Sequence, residues 1–341
     1  MIDNNITTTV DLIQTSKSLI NDLNFISQNV LIYLPLIYFI FGFIGFIGNV
    51  FTYLQPQLRS NTSCIYLLCG SFIDISSLSI NSFSSYLAWQ FGFTLPWSTS
   101  SALCKLSVFL LVFLTHLAIN FLCMAIIDRF AVTCDHTSSI RRITQLRIVP
   151  CMIGLTVLTS GLSTLYAPIN YDLSPAHICL STQPMLTTIS SIVLIRVIPS
   201  VTMITFVLLT YRNVRRSRGR VGDAAQKNRP NLRNQFIVTI FAQILVTVCI
   251  TIPWIIILLY YTVTPISTKS PVQVSIIIFV FGLSNRFFYL NNVKAFYITI
   301  LTSRVFRKAF IGGISNLFRR YIRHQMHVSM VNPFTQTRNN I

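Results

Sequence analysis

Apolar stretches long enough to cross a bilayer recur seven times along this chain, separated by short polar breaks. A spanning helix needs about 20 predominantly apolar residues at a rise of ~1.5 Å each. The pattern predicts spans at about 30–54, 64–88, 102–127, 148–169, 187–211, 236–261 and 273–300. The second is the least apolar. Its serine-rich run SFIDISSLSINSFSS suits a helix facing other helices rather than lipid. Residues 1–28 are polar and lack the basic start and small-residue cleavage site of a signal peptide, so the first span is expected to direct insertion. After the seventh span, SRVFRKAFIGGISNLFRRYIRH sets apolar residues at helical spacing with Arg and Lys between them. It reads as a short amphipathic helix on the membrane surface, interrupted at Gly312-Gly313. No cysteine follows it, which excludes palmitoyl anchoring there.

Composition agrees. Of 341 residues, 52% are hydrophobic and 10% charged, with a mean hydropathy of +0.64. A soluble domain carries about 25% charged residues, and in lipid the backbone must satisfy its own hydrogen bonds. The expected fold class is therefore an all-α membrane protein, a seven-transmembrane-helix bundle with a short amphipathic eighth helix.

Charge sets the expected orientation. There is no glutamate, and the net charge is +18. Of the 26 Lys and Arg residues, Arg196, Arg286 and Lys294 fall within spans, and Lys17, Lys105 and Lys269 fall on the side of the N-terminus. The others, from Arg59 and Arg129 to Arg233 and Arg338, lie in the loops after spans one, three and five or in the tail. The positive-inside rule then places the N-terminus outside and the C-terminus in the cytoplasm. Three segments follow: an extracellular tail over 1–29, a membrane domain over 30–302, and the amphipathic helix with a cytoplasmic tail over 303–341. Asn5-Ile6-Thr7 is a glycosylation acceptor on the correct side, whereas Asn61-Thr62-Ser63 is not. The basic surplus reads as lipid-facing loops, not nucleic-acid binding, since no such module is visible.

Several residues carry candidate chemistry. Cys104 and Cys179 are the cysteines expected at the outer face. A bridge between them would pin the loop after span four over the mouth of the bundle; two unpaired thiols is the other reading. Asp74 lies in the middle of span two, where a carboxylate marks an ion or switching site or stays protonated against a neighbouring helix. Asn49 and Asn292 are its candidate polar neighbours. The third span runs from Cys104 to Arg129, roughly 38 Å at ~1.5 Å per residue. Asp128-Arg129 at its inner end is either a breakable ion pair of the kind switches use or ordinary snorkelling charge. Pro199 and Pro253 interrupt spans five and six and permit kinks.

Taken in order, these features resemble the rhodopsin-like G-protein-coupled receptors over nearly all of 30–310. Gly48-Asn49-Val50 matches the first-span Gly-Asn motif, Asp74 the second-span acid, and Trp89-x-Phe91-Gly92 the first outer loop. Cys104 precedes Arg129 by the separation the family keeps before its Asp-Arg-Tyr arginine. Pro199, Pro253 and Phe306-Arg307 occupy the family's fifth-span, sixth-span and eighth-helix places. The resemblance implies an agonist received from outside, movement of the sixth helix, and nucleotide exchange on a heterotrimeric G protein, with no cofactor, no metal and no enzymatic activity. Asp128, Arg129 and Phe130 would form the coupling element at the plasma membrane's inner face.

The chain also departs from the family's pattern. Phe130 replaces the tyrosine, and span four has no tryptophan. Ile250-Thr251-Ile252-Pro253 replaces Cys-Trp-x-Pro, with Trp254 one position late. Asn291-Asn292-Val293-Lys294-Ala295-Phe296-Tyr297 lacks the Asn-Pro proline and displaces the tyrosine. Val207 replaces a fifth-span tyrosine, and Arg233 an acid, which leaves Asp128 as the expected restraint on Arg129.

The ligand class follows by elimination. Leu111 stands where amine receptors carry an aspartate, and Arg286 where opsins carry the retinal lysine, while Lys294 is expected too near the cytoplasm for that role. Arg196 and Arg286 are cations in the outer halves of spans; either an anionic ligand group partners them or they snorkel. With Trp254 and His116 as possible lining, a neuropeptide-like agonist is the favoured ligand. The competing class is a transporter or channel using Asp74, Arg196 and Arg286 as pathway charges, against which no internal repeat is found.

Overall fold

A computed structural model describes residues 2–92, 96–134, 139–175, 179–218, 232–264 and 269–331. Among the described residues, seven helices are long and apolar enough to cross a membrane. They are Leu34–Tyr53, Thr62–Phe91, Ser101–Thr133, Val149–Asn170, Pro184–Arg218, Leu232–Val263, and a seventh made of Pro271–Phe288 and Leu290–Thr302. Their starts obey local rules. Prolines occupy the first turn of spans one, four, five and seven, where a missing N–H costs nothing. Ser270 and Gln273 close a capping box ahead of the seventh.

Span three is the axis of the bundle, packing on spans two, four and five. Cys104, Leu117, Phe121, Ala125, Ile126 and Asp128 along it are buried. Span one approaches its neighbours through glycines. A Cβ on Gly42 would meet Leu78 at 2.4 Å, and one on Gly48 would meet the Phe296 ring at 2.3 Å, so close packing at these positions requires the absent side chain.

Four local features differ from expectation. The segment ahead of span one is a helix, Ile2–Asn29, which packs against the first half of span seven. No glycine or proline interrupts the first 29 residues, so nothing local ends it. Span seven breaks at Tyr289 without a proline; its N–H turns back to the Arg286 carbonyl at 3.1 Å, tightening the last turn. The amphipathic helix runs unbroken through Gly312-Gly313, from Arg304 to Val331. Gly313 is a contact rather than a break, because its missing Cβ would lie 2.3 Å from Gln55 and 2.6 Å from Phe51 on span one. Spans two and five each contain a π-helical stretch, Leu78–Phe83 and Ser191–Val197.

Candidate functional site

At one end of span three, Cys104 and Cys179 form a disulfide with a Cα–Cα distance of 5.6 Å. Cys179 opens strand β2 (Cys179–Ser181), which pairs antiparallel with β1 (Tyr171–Leu173). The hairpin is also held by charge. Asp172 on β1 pairs with Lys105 on span three at 3.7 Å and accepts from the Ser101 hydroxyl and from the Leu173 N–H at 2.8 Å. The Ser101 hydrogen bond, more than Lys105, holds the Asp172 carboxyl below its usual range. Closing a loop across a sequence separation of 75 residues is worth about 4.5 kcal/mol in chain entropy. Serine at Cys104 or at Cys179 is expected to cause equal losses of surface expression or ligand binding, measured by flow cytometry and a binding assay. A loss from one position and not the other argues against a shared role.

Beneath the hairpin lies a cavity of about 220 Å³. Arg196 reaches it from the π-helical stretch of span five, just ahead of Pro199. Proline has no N–H to close the preceding turn, and a wider turn accommodates that loss and changes the helix phase. Arg196 is thereby 6% exposed, while Val197 and Ile198 beside it face outward. Its guanidinium carbon stacks 4.0 Å from the Phe288 ring centroid and 5.0 Å from that of Trp254. Trp254, a residue late for the family's toggle, thus belongs to the cavity floor.

The other two residues expected here do not join it. His116 is buried toward span four, its Nε2 3.1 Å from Asn120, which also donates to Ser160. Arg286 lines neither this cavity nor the one below; it is half-buried beside Tyr38 and Tyr289. Arg196 and Asp74 line different cavities, and Arg286 lines neither.

A second cavity of about 60 Å³ lies deeper, lined by Asp74 and by Lys294. Lys294 is therefore not near the cytoplasmic end as expected but level with the span-two carboxylate. Its amine donates to the Asn291 side chain and to the Asn291 carbonyl at 3.4 Å. Asn49 and Asn292 flank this level through helix-two serines: Asn49 donates to Ser71 at 2.8 Å and Asn292 to Ser77 at 3.1 Å. Both asparagines and Asp74 border a further small void of about 10 Å³. Toward the other end, Gln243 is 2% exposed and ties span six to span seven, donating to Thr299 at 2.9 Å and to the Ala295 carbonyl at 3.3 Å. Tyr297 turns away from this interior; its hydroxyl donates to the Phe41 carbonyl on span one at 2.9 Å.

At the far end of span three, the expected restraint on Arg129 is corrected. The Asp128 carboxylate is fully buried and accepts from Thr62 at 2.6 Å and from the Ser63 hydroxyl. The Arg129 guanidinium donates to the Asn61 side chain. The tripeptide that resembled a misplaced glycosylation site is instead a cradle for the Asp-Arg pair. Asp128 is engaged by Thr62 and Ser63 and Arg129 by Asn61, so a restraint on Arg129 comes from the start of span two. Phe130 meets Phe206 edge-on at 5.3 Å, so it packs against span five. Arg307 caps span seven by donating to the Leu301 carbonyl at 2.8 Å. The side chains of Asn5 and Arg233 lie outside the described residues, as does the whole of Arg338.

Asn61, Gln243 and Lys294 were missed as site residues. Gln243 and Lys294 had a legible signal, being polar residues inside predicted spans, Gln243 within the apolar run IFAQILV. Among the described residues, no group of three His, Cys, Asp or Glu is placed to hold a metal.

A stapled hairpin over a cavity, a charged midplane and a cradled Asp-Arg pair, all arranged along one central helix, define a seven-helix membrane receptor. The profile of the family described as 7 transmembrane receptor (rhodopsin family) matches residues 49–293. The chain belongs to that family. No curated protein matches it.

Proposed function

We propose that this receptor binds an extracellular, neuropeptide-like agonist at its disulfide end and activates a heterotrimeric G protein at its Arg129 end. The observation that carries this reading is that span three joins both ends. It is stapled to the hairpin above the cavity at Cys104 and held by a breakable polar cradle at Asp128 and Arg129. A hydrogen-bonded cradle of a few groups is the kind of two-state element that a ligand can bias. The concentration of Lys and Arg in the loops at the Arg129 end supports its cytoplasmic placement at the plasma membrane. Asn5 then lies outside, where it is available for glycosylation. The protein works as a receptor and signal transducer, not as an enzyme, and needs no cofactor.

The test is direct. Purified protein in lipid nanodiscs is expected to accelerate GTP binding by at least one Gα subunit when tissue peptide extracts are added. A broad Gα panel without acceleration, from wild type and from variants with a loosened cradle, sinks the proposal.

A further inference from the structure

We infer that the cavity beneath the hairpin recognises a single carboxylate carried on a compact apolar body. This rests on the receptor reading above and narrows its ligand to one chemistry, shared by small free acids and by the C-terminal residue of a peptide.

The cavity's polar chemistry is unbalanced. Arg196 is 6% exposed, yet its Nε and Nη1 have no hydrogen-bond partner among the described residues. Trp254 Nε1, on the same wall, has none either. Buried donors are ordinarily satisfied, and a buried cation is ordinarily paired. The cavity lining contains no acidic residue, and the chain has no glutamate. Asp74 on span two lines the inner cavity with Lys294 instead. What would complete this site is therefore an acceptor bearing negative charge, brought from outside.

Guanidinium geometry narrows the acceptor. The Phe288 and Trp254 ring centroids lie 4.0 and 5.0 Å from the guanidinium carbon and 5.1 Å from each other, so both rings sit to one side of the group. Its N–H bonds lie in the plane and are not consumed by stacking. Two coplanar oxygens match that edge as a bidentate pair. A carboxylate presents them with one charge, which one arginine neutralises; a phosphate dianion would leave a buried charge uncompensated. An amine would meet a cation with no counter-ion.

The remaining walls set the body. Leu111, Val112, Ile195, Leu258 and Phe281 supply apolar wall, interspersed with the polar side chains of Tyr166, Thr187, Thr188, Ser191 and Asn285. A dry cavity of roughly 150 Å³ holds one benzene ring, so about 220 Å³ holds a ring and a short acid arm. A long peptide does not fit inside, but its last residue does. Arg286 lines no part of this cavity and serves as the control.

Phenylacetate, 3-phenylpropionate and indole-3-acetate provide the small-acid probes, each paired with its primary amide. N-acetyl dipeptides ending in free Phe or in Phe-amide provide the peptide arm. Thermal stabilisation of the full-length receptor in nanodiscs, titrated without any G protein, reads binding. The acids are expected to raise the melting midpoint saturably, and the amides are not. Arg196→Gln is expected to weaken acid binding about 10- to 100-fold, the loss of a charge-assisted pair, while Arg286→Gln leaves it unchanged. Small acids binding as well as the peptide acids identify a free acid as the natural class; peptide acids alone binding identify a C-terminus. Amides that bind as well as acids, an acid preference that survives Arg196→Gln, or no stabilisation by any acid overturns the inference. The acid–amide contrast on the wild type needs no variant, so it stands even if Arg196→Gln fails to fold. Acid binding without nucleotide exchange on any Gα would leave this site in place and remove the signalling proposal instead.

Discussion

Replacing Arg129 with alanine is expected to abolish ligand-stimulated nucleotide exchange while leaving ligand binding measurable. The guanidinium sits at the end of the central helix, 25 residues and roughly 38 Å from the stapled cysteine at ~1.5 Å per residue. It is a planar five-donor group that donates to the Asn61 side chain. Released, it can engage carbonyl and carboxylate acceptors on a partner. Loss of an arginine of this kind from an interface costs about 2 kcal/mol or more, a fall of at least about 30-fold in exchange. Asn61→Ala should move the other way and raise exchange without ligand, because it removes an acceptor from the resting cradle. GTP binding by purified Gα, measured with and without agonist, separates the two. Undiminished exchange from the alanine variant would show that the switch lies elsewhere.

The second large effect concerns Asp74 and Lys294. Both side chains line one cavity of about 60 Å³, roomy enough for water to bridge them. Removing either leaves the other without its counter-charge in the middle of the bundle. Breaking a buried pair from one side costs roughly 3–5 kcal/mol, whereas replacing both partners by apolar groups of similar volume is often neutral or stabilising. Asp74→Leu and Lys294→Met are therefore each expected to lower the thermal midpoint of the purified receptor by several degrees. The double variant should recover most of that loss. A double-mutant cycle reads the coupling; losses that simply add would show that the two charges do not sense each other. Asn291, which accepts from Lys294, lies close to the break in span seven.

The bundle itself was legible. Spans were read from the lengths of apolar runs, because a bilayer imposes a thickness that only about 20 helical residues meet. Cys104 and Cys179 were legible as a pair because the predicted topology placed the remaining cysteines elsewhere. Asp128-Arg129 was legible as a candidate element, but not what holds it. The cradle comes from Asn61, Thr62 and Ser63, more than 60 residues earlier, and no local pattern announces a contact at that separation. The supposed interruption at Gly312-Gly313 shows the opposite error. Glycine weakens a helix locally, yet here one of the two is required by the approach of Gln55 and Phe51, and the helix continues.

Helix phase accounts for the rest. Arg196 and Arg286 look equivalent as cations in the outer halves of two apolar spans. A π-helical stretch before Pro199 turns the first into the cavity, while the second settles beside Tyr38. Lys294 moves for a related reason: span seven breaks at Tyr289, and the residues beyond the break are displaced from the register an uninterrupted helix would give. The amino-acid sequence by itself determined that seven helices cross a membrane, which cysteines can meet, and that an Asp-Arg pair ends the central helix. These follow from hydrophobic length and residue type, which are local quantities. Only the tertiary structure decided which buried charges face one another, which cation is left for a ligand, and what cradles Arg129. Those depend on rotations of a fraction of a helical turn, set by packing between spans distant in the chain.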